Sequence, residues 1–222
     1  MQVSKMSDVL GHPNVKIRVL SDGEGCEFHL HGFDLKEVAK IRRIFYSSLE
    51  TMAIELLEFE ENTTGFADET ISHRLGLIPI KCEDTEDLPM VDDCKGCSED
   101  EVPPIEECLH CGVEFDLEKS LPRSSFIKRE EITEEDIVFK DGQCTAQTSG
   151  TPLFLLRSGE RISIKGLVQK GVGSIHAKWI PVAAVRFEHP SDDLYVFTID
   201  TTGQLDCEEI ISQAMDIFEA QQ

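Results

Sequence analysis

The two strongest helix signals lie at opposite ends of the chain and open in the same way. Asp34 stands three residues before Glu37, and Asp206 three before Glu209. This is the D-x-x-E form of a capping box, in which each side chain satisfies a backbone N–H that the helix leaves orphaned. Behind the first box Leu35, Val38, Ile41, Phe45 and Leu49 recur every three or four residues. Ile44 widens the stripe, and Lys36, Lys40, Arg42 and Arg43 lie outside it. Behind the second box Ile210, Ile211, Ala214, Ile217 and Phe218 form a matching stripe. Period-two alternation marks strands beside both helices: Val15–Val19 and Cys26–His31, a hairpin around Asp22–Gly25, near the first, and Val182–Phe187 and Tyr195–Ile199 before the second. Helices and strands at both ends imply one α+β layer built from both, with a second domain inserted between them. Each apolar stripe is wider than one small sheet covers. This predicts that Val38, Phe45, Ile210, Ile217 or their neighbours stay partly exposed for a partner.

The interior reads as shorter elements. Ala53–Glu60 is a strand, Asp68–Leu75 a helix and Val113–Leu117 a strand. Glu130–Lys140 reads as a helical turn followed by a strand. Pro152–Leu156 and Arg161–Leu167 read as a hairpin around Ser158-Gly159, and the residues before Val15 as a loose lead-in. From Cys82 to Glu107 acidic residues dominate and Pro103-Pro104 breaks any helix, so this loop has too little apolar content to fold alone.

That loop carries Cys94-Lys95-Gly96-Cys97 and, ten residues later, Cys108-Leu109-His110-Cys111. Two C-x-x-C knuckles at this separation bring four soft thiolates within reach of one tetrahedral zinc ion. Four sulfur ligands close the coordination shell, so a zinc held by Cys94, Cys97, Cys108 and Cys111 is structural, and its binding supplies folding free energy that the loop lacks. A pair of ordinary thiols is the plain alternative. Cys26, Cys82, Cys144 and Cys207 are isolated and read as buried or half-buried thiols, with Cys82 near enough to be a spare ligand.

Acidic residues number 43 and basic residues 21, a formal charge of −22. Such a surface repels phosphate backbones, so no direct DNA binding is expected. No run approaches the ~18 apolar residues of a membrane span, and the N-terminus does not resemble a signal peptide. The cysteines are therefore expected to be thiols or metal ligands rather than a disulfide framework. No phosphate-loop, dinucleotide, zinc-protease or nucleophile-elbow motif occurs, and no catalytic residues are assigned. His73, His176 and His189 read as surface groups, and Trp179 as a core or interface anchor.

Three stretches resemble one family. They are Ile41-Arg42-Arg43-Ile44-Phe45 with Ala53-Ile54-Glu55 and Glu60-Glu61-Asn62-Thr63, the ungapped fourteen-residue run Ala67–Ile80, and Lys170-Gly171-Val172-Gly173-Ser174-Ile175-His176-Ala177-Lys178-Trp179-Ile180-Pro181-Val182. They resemble the α-like subunits of multisubunit RNA polymerases, a family that includes the bacterial α N-terminal domain, the third-largest subunit of eukaryotic RNA polymerase II and its archaeal counterpart. The likeness is greatest to the eukaryotic subunit and runs from about Val15 to the C-terminus. It implies a discontinuous dimerisation domain at 1–49 and 181–222, and an inserted, mainly-β domain at 50–180 with its zinc loop at about 82–112. It implies a non-catalytic scaffold that pairs with a smaller α-like subunit and supports assembly of the second-largest subunit and two small zinc-binding subunits. It implies a nuclear location, or a cytoplasmic one for an archaeal or viral member. Arg42-Arg43 matches a family position near the large-subunit contact. The subunit shared by polymerases I and III and the archaeal counterpart are the alternatives within the family. A free zinc-ribbon adaptor is the alternative outside it.

Overall fold

The computed structural model describes residues 7–9, 12–19, 25–83, 85, 87–90, 93, 111–123 and 129–221. The elements begin β1 (Ser7–Val9), β2 (His12–Val19), β3 (Gly25–His31), α1 (Leu35–Ser47), β4 (Glu50–Asn62), α2 (Asp68–Gly76) and β5 (Ile80–Cys82). They continue β6 (Gly112–Ser120), β7 (Arg129–Thr133), β8 (Val138–Phe139), β9 (Cys144–Ala146) and β10 (Pro152–Arg157). The last are β11 (Arg161–Val172), β12 (Val182–Ser191), β13 (Leu194–Thr201) and α3 (Cys207–Ala220). The class is α+β. Two compact units form, one from Met1–Thr51 with Val172–Gln222 and one from Met52–Gly171.

In the first unit both capping boxes close. Asp34 Oδ1 accepts from Glu37 N at 2.8 Å while Glu37 Oε2 accepts from Asp34 N at 2.7 Å. Asp206 and Glu209 repeat the exchange at the start of α3. The sheet runs β1-β2-β3-β13-β12. Register places Ile17, Phe28, Phe197 and Phe187 in one row across it, and Cys26, Ile199 and Val185 in the next. These inward side chains meet the stripes of α1 and α3. The Phe45 ring packs edge-on to Phe28, centroids 5.7 Å apart, and Phe28 stacks on Phe197 at 4.7 Å.

The expectation of partly exposed stripes holds only at their margins, where Leu35 is exposed and Ile217 half-buried. Phe45 is 1% exposed, and Val38 and Ile210 are fully buried within their own unit; Ile217 alone of the four is half-buried. The sheet is wider than expected, because the lead-in forms β1, which pairs with β2. Strands β2, β3, β12 and β13 supply the apolar face against which both helices are buried.

In the second unit a sheet of order β8-β6-β11-β4-β5-β9 and a two-stranded sheet β10-β7 enclose a core that includes Ile54, Ile71, Leu75, Phe115, Leu117, Ile132, Leu156, Ile162 and Ile164. The expected hairpin of β10 with β11 does not form. β10 pairs with β7, while β11 pairs with β6. The turn between them is held from outside: Gly159 N donates to the Leu121 carbonyl and Leu121 N to the Glu160 carbonyl, which sends the two strands into different sheets. Within Glu130–Lys140 the expected turn and following strand are the 3-10 turn Glu134–Asp136 and β8, and a further strand, β7, precedes them.

The expectation of free thiols at Cys82 and Cys144 is also corrected. The two residues lie directly opposite each other on β5 and β9 and are joined by a disulfide. Directly paired positions on antiparallel strands bring Cβ atoms within reach of such a bond, which takes Cys82 out of any ligand set.

Two outcomes follow. Phe45→Ala should cost about 3–5 kcal/mol of the chain's own stability, read by denaturant unfolding. Reducing the Cys82–Cys144 bond, which spans 62 residues, should lower the stability of the second unit by about 4 kcal/mol on the loop-entropy scale. Hydrogen exchange across β5 and β9 with and without reductant measures it.

Candidate functional site

The outward side of the helix pair is what α1 and α3 leave for other molecules. On α1, Leu35 is 61% exposed, and Lys36, Ala39, Arg42 and Arg43 are exposed with it. On α3 the exposed residues include Glu208, Glu209, Asp216 and Glu219. Lys40 bridges the helices: its Nζ donates to the Gln221 carbonyl at 3.1 Å and lies over the Phe218 ring, 5.2 Å from the centroid. Phe33 packs on the same ring. The layer therefore carries cations on one helix and carboxylates on the other, with apolar Leu35 and Ala39 one turn apart on the first.

The segment that closes the third resemblance stretch is fixed against the end of α1. Ser174 N donates to the Ser47 carbonyl at 3.0 Å. A Cβ on Gly173 would lie 2.2 Å from the Tyr46 carbonyl oxygen, so only glycine fits there. Trp179 is buried, its carbonyl accepting from Thr51 Oγ1 at 2.8 Å, and the Lys178 carbonyl accepts from Gln204 Nε2 at 3.0 Å. Ile175, His176 and Ala177 project outward from this anchored turn. His73 and His189 are also exposed, as the sequence implied.

Of the four expected zinc ligands, Cys94, Cys97 and Cys108 lie outside the described residues, as does His110. Cys111 is described. It is fully buried, and its Sγ accepts from Gln169 Nε2 at 2.8 Å. Its neighbour Gly112 pairs with Gln169 across β6 and β11, and a Cβ there would lie 2.4 Å from the Val168 carbonyl oxygen. A buried sulfur that receives an N–H donor fits a thiolate ligand, because the donor offsets negative charge on sulfur. Among the described residues no three metal-ligating side chains cluster. The sequence reading missed Gln169. It lies beyond the strand read at Arg161–Leu167, and nothing in the sequence there signalled its contact.

Cys26 and Cys207 form a second sulfur pair, from β3 and the first residue of α3. The hydrogen bond with Cys207, together with burial, raises the Cys26 thiol well above its ordinary value and keeps it neutral. Neither residue offers an accessible nucleophile.

The comparisons with known proteins fall on this same frame. The family described as the RNA polymerase Rpb3/Rpb11 dimerisation domain matches residues 27–221. The chain is 31% identical over 193 residues to "DNA-directed RNA polymerases II, IV and V subunit 3" of Arabidopsis thaliana, an alignment covering 81% of this chain and 58% of that protein. It is 29% identical over 194 residues to "DNA-directed RNA polymerase II subunit rpb3" of Dictyostelium discoideum, covering 82% and 60%. It is 33% identical over 178 residues to "DNA-directed RNA polymerase subunit Rpo3" of Methanocaldococcus jannaschii, covering 80% and 76%. The chain thus spans less than two thirds of the length of these plant and Dictyostelium relatives. With the match running from β3 through the last turn of α3, the chain belongs to the Rpb3/Rpb11 dimerisation-domain family of RNA polymerase.

Proposed function

We propose that this chain is a non-catalytic assembly subunit of a DNA-directed RNA polymerase, the counterpart of the third-largest subunit of polymerase II, working in the nucleus. The observation that carries the reading is the family match, which takes in α1, α3 and the sheet strands β3, β12 and β13. The chain pairs through the outward side of that layer with a smaller α-like subunit. The heterodimer then receives the second-largest subunit and two small zinc-binding subunits. Nothing in this role needs a reacting group, and the chain's charge of −22 leaves contact with DNA to its partners. A structural zinc held by Cys94, Cys97, Cys108 and Cys111 belongs to the same reading, supported by the paired spacing and by the amide donor at Cys111. An archaeal-type α-like subunit is the second reading, supported by the 33% identity to the Methanocaldococcus protein.

Coexpression with a smaller α-like subunit should give a 1:1 heterodimer by size-exclusion chromatography. Phe45 is part of the chain's own core, so the informative variant is Leu35→Glu with Ala39→Glu on the exposed turn of α1. It should leave the unfolding midpoint unchanged and weaken the heterodimer by about tenfold or more, since unpaired carboxylates in a contact cost on the order of 1.4 kcal/mol or more. An unaffected heterodimer moves the contact off α1, and no heterodimer at all sinks the assembly reading. Elemental analysis of the purified chain should find about one zinc, lost in Cys108→Ser; metal-free wild type refutes the zinc.

A further inference from the structure

We infer that Cys82 and Cys144 form a reversible redox clasp: a disulfide that exchanges with a small-molecule thiol such as glutathione, and so sets whether the β5–β9 edge of the second unit is held or free to open. The pair lies apart from the C-x-x-C knuckles, and the clasp depends on neither the zinc nor the polymerase reading.

Register brings the two sulfurs together. Ile80, Lys81 and Cys82 stand opposite Ala146, Thr145 and Cys144. Glu83 N donates to the Gln143 carbonyl at 2.9 Å and Gln147 N to the Pro79 carbonyl at 2.8 Å, one residue beyond each end of that register. Hydrogen-bonded pairs alternate with non-bonded ones along an antiparallel ladder, so Cys82–Cys144 is a non-bonded pair, where opposed side chains come closest. What the bond holds is otherwise lightly held. β9 is three residues long and ends the six-strand order, and β5, also three residues, meets β4 at the register pair Met52–Ile80. β6 and β11, by contrast, pair without a break from Arg161 to Gln169. A short edge ladder opens at less cost than the sheet behind it. Access favours exchange: Cys144 is buried, but Cys82 is only half-buried, and accessible disulfides are the labile ones. A glutathione thiolate attacks the Cys82 sulfur, the S–S bond breaks, and Cys144 leaves as a thiolate that takes up a proton. A second glutathione thiolate attacks the glutathione sulfur of the mixed disulfide. Cys82 then leaves and is protonated, two electrons have passed to the protein, and glutathione disulfide departs. Oxidised glutathione drives the reverse steps. Cys26 and Cys207 remain thiols in the same chain, so one bond at a sheet edge is not part of a disulfide framework.

The test equilibrates the full chain, with Zn2+ present, in buffers running from excess reduced to excess oxidised glutathione. Acid quenching, alkylation and peptide mass spectrometry then read the Cys82–Cys144 linkage itself, whatever the other cysteines do. Hydrogen exchange in the same buffers reads the Glu83 and Gln147 amides, which close the two ends of the ladder. The linkage should pass from formed to lost in one two-electron step between the two extremes. Its loss should speed exchange at Glu83 and Gln147 by about tenfold or more beyond any change in β6 and β11. Cys82→Ser with Cys144→Ser should show the fast exchange in every buffer; the wild-type titration decides the matter even if that variant fails to fold. A linkage that survives excess reduced glutathione is a fixed brace and overturns the clasp. A linkage that never forms in excess oxidised glutathione overturns it as well. Reduction that leaves β5–β9 exchange unchanged, or speeds β6 and β11 equally, removes the local opening and overturns it too. None of these results bears on the heterodimer.

Discussion

The antiparallel pairing of β3 with β13 joins residues 25–31 to residues 194–200, and the first unit depends on it. β3 then lies inside the sheet, with β2 on one side and β13 on the other. Without this ladder α1 has no Phe197 or Ile199 to cover, and α3 has no Phe28. Closing so long a loop carries a large entropic cost before any contact rewards it. The return is the aromatic cluster of Phe28, Phe45, Phe187 and Phe197, where ring pairs add to their area burial. The same closure accounts for how the middle of the chain leaves and re-enters. Thr51 bonds the Trp179 carbonyl, Ser174 bonds the Ser47 carbonyl, and Thr202 N donates to the Pro181 carbonyl. Exit and return are thus fastened within one unit.

Features set by local chemistry are legible in the sequence. Both capping boxes, the stripes of α1 and α3, the strand alternations of β2, β3 and β13 and the burial of Trp179 follow from residue type and spacing. Features set by partners far along the chain are not. β1 is three residues long, too short for alternation to register. β10 and β11 look like hairpin strands, yet what separates them is the backbone of Leu121, a residue with no turn signal of its own. The Cys82–Cys144 pairing spans 62 residues, and no local pattern predicts it. How far the helix stripes are covered is hidden for the same reason, since it depends on strands brought together from both ends of the chain. At the cysteine centre, the spacing identifies the knuckles but not the amide that faces one of them.

Charge is arranged against the average of the chain. With 43 acidic and 21 basic residues, the exposed cations of α1 form an island in a negative surface. A patch opposite in sign to its surroundings orients an encounter more strongly than it tightens the final complex, because exposed ion pairs contribute little net energy. Arg42 and Arg43 have this character: exposed, adjacent and mounted on a helix whose other face is buried in the core of the first unit. Lys40 differs. Drawn onto Phe218 and the end of α3, it belongs to the helix pair, and its charge offsets the C-terminal dipole of α3.

The cysteines show how far environment, rather than residue type, fixes chemistry. Cys26 and Cys207 face each other in an apolar core, where the hydrogen bond between them raises Cys26 and lowers Cys207. Cys82 and Cys144 are cross-strand neighbours near the sheet edge, and the ladder itself supplies the proximity for a covalent bond. Cys111 is as buried as Cys26, and its Sγ accepts from the Gln169 amide. In the sequence, Cys111 stands apart from these four only through its knuckle partner Cys108. The fold separates it by what β11 places in front of its sulfur.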